Sequence, residues 1–152
     1  MITQPTTARL IDVVRKELSE QVAPAVTDPQ LQTSLQMIDH ILSTLAVRAR
    51  HEIAWMVEET DLLCQLGRDI RAAHPEASAV AAALAEAEAQ DRESLHYDDV
   101  ARRYSLASEI LSSAYEQTPG NSPLRSRIED AFDHRLGHEV DIIGEFQLVG
   151  RT

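Results

Sequence analysis

The sequence predicts an all-α protein: an antiparallel bundle of about five helices with one long central helix at about 29–66. Three observations carry that expectation. Apolar residues recur every three or four positions, and no segment sustains the alternation by two that a half-buried strand needs. Pro5, Pro24, Pro29, Pro75, Pro119 and Pro123 each sit where a helix would start or stop. Between Pro29 and Leu66 there is no further glycine or proline, so nothing in that stretch breaks a helix.

The first helix is expected over about 7–22, with Leu10, Val14, Leu18 and Val22 on its core face, flanked by Ile11 and Val13. "APAVTDP" ends it. Asp28 is a good N-cap and Pro29 a good first residue for the second helix. That helix carries one stripe of Leu31, Leu35, Ile38, Leu42, Leu45, Ala49, Ile53, Met56 and Leu63. A neighbouring stripe holds Met37, Ile41, Trp55, Leu62 and Leu66. Together they cover about half the circumference at ~100° per residue, more than a surface helix needs. Gly67 ends this helix, or it continues to Ala73. A third, alanine-rich helix follows Pro75, with Val80, Leu84 and Ala87 inward and Leu95 in phase. The phase then turns near His96–Asp99, where Asp98 is a candidate N-cap. Val100, Tyr104, Ala107, Leu111 and Ala114 mark a fourth helix. "TPGNSP" is the clearest loop, and Ser122–Pro123 opens a fifth helix, with Leu124, Ile128, Phe132, Leu136, Val140 and Ile143 as its expected core face. No repeat or low-complexity linker divides the chain, so residues 1–152 read as a single helical-bundle domain.

Composition narrows the function classes. With 43% hydrophobic residues the 152-residue chain can build a core, and with 4% aromatics that core must be aliphatic. A formal net charge of −11 opposes binding to nucleic acid, which needs a basic footprint, and to anionic membrane surfaces. No apolar run approaches the ~18 residues of a membrane span, and "MITQPTTARL" lacks the basic start and apolar run of a signal peptide. The single Cys64 excludes an internal disulfide and a cysteine-based zinc site. The expectation is a cytoplasmic protein. Arginine over lysine, 13 of the 14 basic residues, together with abundant alanine, suggests a GC-rich bacterial genome.

"ARLIDVVRKELSEQVAPAV", followed after a short gap by an apolar-periodic helix, resembles the start of a family of small bacterial helical proteins encoded beside aminoglycoside-phosphotransferase-like kinases and acyl-CoA dehydrogenases. The resemblance covers the first third of the chain and implies an accessory role near acyl-CoA or phosphotransfer metabolism. No site residues are carried over from it.

Two constellations could carry chemistry. His134 and His138, at i and i+4 on the fifth helix, can chelate one zinc, iron or nickel ion, and Asp130 and Asp141 can complete the shell. Glu145 shares that stripe. Placed against the expected core face, this stripe points to water, and a third ligand would have to come from another helix, with His40 and His51 as candidates. No HExxH motif is present. The ferritin-like pattern needs two Glu-x-x-His motifs, and only Glu93–His96 fits. The second constellation lies on the second helix. Arg48, Glu52 and Glu59 fall inside its apolar arc, where unpaired charge is costly. With Trp55 beside them they form either a salt-bridge network or a site for a small acidic metabolite. On the fifth helix Arg135 and Glu139 fall in or beside the core arc in the same way.

The strong signals are packing signals. The expectation is therefore an interaction or oligomerisation module without catalytic activity and without a cofactor. A compact domain of this length has a radius of gyration near ~15 Å and so a diameter of roughly 38 Å. A 29–66 helix spans about 57 Å. Unless it breaks, it needs cover, either from a second copy in a homodimer through this helix or from another protein partner.

Overall fold

The structure, a computed structural model, describes residues 4–144. Every regular element among them is helical, as the spacing predicts: α1 (Thr7–Glu17), α2 (Pro29–Ala73), α3 (Ser78–Glu88), α4 (Tyr97–Gln117) and α5 (Leu124–Ile143). After α1 come a wider π turn, Leu18–Val22, and a 3₁₀ turn, Ala23–Ala25. Asp28 starts α2 as expected, its carboxylate accepting from the amides of Gln30 at 2.7 Å and Leu31 at 3.3 Å. α2 runs unbroken through Gly67 to Ala73. Gly144, with φ 67°, follows the last turn of α5 in the left-handed conformation that glycine adopts without strain.

The described residues divide into two compact units, 4–52 with 139–144, and 53–138. The second unit holds the main core. Leu63, Cys64, Leu66 and Ile70 of α2 join Val80, Ala83, Leu84 and Ala87 of α3, Ala107, Ile110, Leu111 and Ala114 of α4, and Ile128 and Ala131 of α5. Short connections reverse the chain between these helices. Gly67 serves this core instead of ending its helix: a Cβ there would lie 2.9 Å from Ile110 Cγ2, so its bareness sets how closely α2 and α4 pack. Leu95 is a correction. α3 stops at Glu88, and Leu95 stands exposed in the connection that follows. That connection is held by Arg103, a buried residue of α4 whose guanidinium donates to the carbonyls of Asp91 at 2.8 Å and Ser94 at 3.1 Å. The N-cap of α4 is His96, and Asp98 lies in the first turn.

α5 is a second correction. Ile128 and Ala131 face the core, and Arg135 and His138 continue that line half-buried. Phe132, Leu136, Val140 and Ile143 are exposed. The expected stripe advanced by four residues at almost every step. Each such step overshoots a turn by about 40°, so the stripe winds off the core within three turns.

The first unit is thinly filled. Its buried residues among those described are Ala8 and Ala46. α1 and the first half of α2 are joined by ion pairs: Arg15 grips Asp39 through Nε at 2.8 Å and Nη2 at 3.1 Å, and Arg50 pairs with Asp12. The later residue on α1 meets the earlier one on α2, so the two helices run antiparallel. The side of α1 turned to this contact carries Ala8, Ile11, Asp12 and Arg15. Leu10, Val13 and Val14, expected in the core, are exposed, and the drift that displaced the stripe of α5 displaced this one as well.

Candidate functional site

Glu59 is the residue around which the site is built. On α2 it stands in line with Leu63, Leu66 and Ile70, one turn ahead of them, and it is 3% exposed. A carboxylate at a core position has to be satisfied by its neighbours, and three side chains from two other helices do so. Tyr104 of α4 donates its hydroxyl to Oε2 at 2.8 Å, Arg135 of α5 donates Nε to the same oxygen at 3.1 Å, and His138 Nδ1 lies 2.6 Å from Oε1. Arg135 Nη2 also reaches the Tyr104 oxygen at 2.6 Å. Burial, and then the hydrogen bond to Glu59, raise the Tyr104 phenol above its ordinary value, which keeps it a neutral donor. The core of the second unit thus ends in a polar layer tying α2, α4 and α5 together.

Glu59 also fixes the histidine. An ionised carboxylate can only accept, so His138 Nδ1 is the nitrogen that donates to Glu59. Trp55, one turn before Glu59, stacks on the His138 ring with centroids 4.4 Å apart and planes 11° from parallel. His134 meets His138 edge-on at 4.6 Å. Its Nε2 lies 3.4 Å from Glu58 Oε1, yet this buried nitrogen has no hydrogen-bond partner among the described residues. One nitrogen from each histidine and one carboxylate oxygen of Glu58 all lie within 4.8 Å of one another.

The residues singled out in the sequence divide accordingly. His134 and His138 do come together, and they face inward, because the core side of α5 is not the side expected. Asp130 and Asp141 are exposed and are not among the converging groups. Glu145 lies outside the described residues. The third member of the converging group is Glu58, for which the sequence offered no signal, since nothing local connects residue 58 with residues 134 and 138. Glu59 and Trp55 belong to the polar layer. Arg48 and Glu52 belong to the first unit and pair with each other, Nε to Oε1 at 2.9 Å, with Arg48 exposed. Arg48 therefore does not stand on a core face.

Compared with protein-family models, with curated proteins and with solved structures, the chain finds no match.

Proposed function

We propose that the protein is a helical self-association module, in which a second copy covers the apolar residues that the first unit leaves exposed. The observation that supports this is the mismatch between apolar content and burial in that unit. Leu10, Val13 and Val14 of α1 and Leu31, Met37, Ile38, Ile41 and Leu45 of α2 are 43–63% exposed, while the buried residues among those described there are two alanines. A contiguous apolar surface of several hundred Å² is rare on a monomer.

The faces suit one continuous interface. The exposed stripe lies about 155° round from Ala8, Ile11, Asp12 and Arg15 on α1 and about 130° round from Asp39, Ala46 and Arg50 on α2, in the same rotational sense, at ~100° per residue. In an antiparallel pair, rotation in the same sense turns both stripes toward one side. Eight residues at these exposures leave roughly 800 Å² open per copy, the ~800 Å² per partner of a standard interface. A twofold pair is the commonest closed arrangement and covers both copies at once. The contact narrows to the first part of α2, because Leu63 and Leu66 are already buried within the second unit.

The test places one charge on each helix of the face. Val14→Glu and Ile41→Glu should each convert a dimer into a 16.9 kDa monomer, while Leu95→Glu, at an exposed leucine of the second unit, leaves the dimer intact. A dimer unaffected by both charges would defeat the proposal.

A further inference from the structure

We propose that Glu58, His134 and His138 bind one divalent first-row transition cation of the zinc, cobalt or nickel kind. Two imidazole nitrogens and a carboxylate oxygen form a donor set that such ions favour, and here they come from two helices of one unit. The spacing is close to that of a formed site. Ligands ~2.0–2.1 Å from a tetrahedral ion lie about 3.3–3.4 Å apart, and His134 Nε2 and Glu58 Oε1 are already 3.4 Å apart. No separation in the group exceeds 4.8 Å, so small side-chain rotations would close the three donors around an ion.

Two further observations point to a ligand. The first is the state of His138. Its Nδ1 is held by the buried Glu59 carboxylate, which leaves Nε2 as the ring nitrogen available to a metal, and the stacked Trp55 holds the ring plane. A carboxylate behind a ligating imidazole is the usual support of a histidine–metal bond. The second is His134 Nε2, a buried nitrogen that approaches Glu58 without hydrogen-bonding it. Such an atom costs free energy unless something bonds to it. Arg135 offsets part of the Glu59 charge and turns its guanidinium to Glu59 and Tyr104. Three protein ligands leave at least one coordination position for water or a small anion, on the solvent side opened by Glu58.

The experiment uses full-length protein without an affinity tag, freed of metal by a chelator. Cobalt(II) is titrated while its visible ligand-field absorption is followed, and zinc is then added to displace it. The expected result is saturation at one equivalent and displacement by zinc. Affinity should fall at least tenfold in His134→Ala and in Glu58→Gln, and return in Glu58→His. His134 and Glu58 are the most exposed members of the site, so both variants should keep the parent's helical signal and melting curve. As a second readout on unaltered protein, cobalt should broaden the ring resonances of His134 and His138 ahead of those of the other four histidines. Absence of saturable binding, equal affinity in both variants, or broadening centred on other histidines would each overturn the assignment.

Discussion

Glu59→Ala should strongly destabilise the second unit. The carboxylate is 3% exposed and receives the Tyr104 hydroxyl, the Arg135 guanidinium and the His138 imidazole. Removing it strands three donors. A buried ion pair broken from one side costs about 3–5 kcal/mol. Arg135 keeps 26% of its side chain exposed and can turn partly to water, which sets the expectation at the lower end, about 3 kcal/mol. For a chain of this size that is a fall in Tm of roughly 6–12 °C. Glu59→Gln keeps the shape and one acceptor oxygen and should cost about half as much. Trp55, the sole tryptophan, stacks on His138, so its fluorescence during urea unfolding reads this layer directly. The pair Glu59→Ala and Arg135→Ala should be strongly non-additive, because the second substitution removes a charge the first has already stranded. A Glu59→Ala cost below about 1 kcal/mol, or simple additivity with Arg135→Ala, would refute the reasoning.

Other outcomes follow from single contacts. The hydrogen bond from Arg15 holds the Asp39 carboxyl below its ordinary value. A lowered folded-state pKa contributes stability that is present above the unfolded value of about 3.9 and lost as pH falls through the folded value. The cost of Asp39→Asn, at most about 1 kcal/mol for a pair this open to water, should therefore shrink as urea titrations move from pH 6 toward pH 3, and a cost that grows instead would contradict the pairing. Burial raises the Cys64 thiol, so a disulfide reagent should modify it far more slowly in the native chain than in urea; equal rates would place it at the surface. Gly67→Ala should destabilise by about 1 kcal/mol, because the new Cβ meets the buried Ile110 at 2.9 Å, and overpacking of about 1–3 kcal/mol outweighs the helix propensity gained, ~1 kcal/mol. A raised Tm would show that Ile110 yields freely.

The fold class was legible in the sequence because spacing and proline placement act locally. Asp28, Val80, Leu84, Ala87, Val100, Ala107, Leu111 and Ala114 stand where the pattern puts them. Faces set by tertiary choice were not legible. On α1 and α5 the ladders of i+4 leucines and valines predict a core face, yet α1 turns Ala8 inward and leaves Leu10 and Val14 outside, while α5 keeps Ile128 in the core but turns Ala131 inward in place of Phe132, Leu136 and Val140. Small residues give a weak hydrophobic signal but allow close approach, which sequence periodicity does not weigh. The histidine pair was visible for its spacing, and its orientation was inverted along with the rest of α5. Glu59 was visible as a charge inside an apolar arc, whereas its partners, 45 to 79 residues away, could come only from the fold.

The proposal that a second copy covers the first unit is tested most directly by the mass of the unaltered protein in solution. Sedimentation equilibrium at micromolar concentration should give about twice 16.9 kDa. The association should tighten as salt screens the −11 charge on each copy. A single species of 16.9 kDa at every salt and protein concentration, with Leu10, Ile38 and Ile41 left open to water, would contradict it.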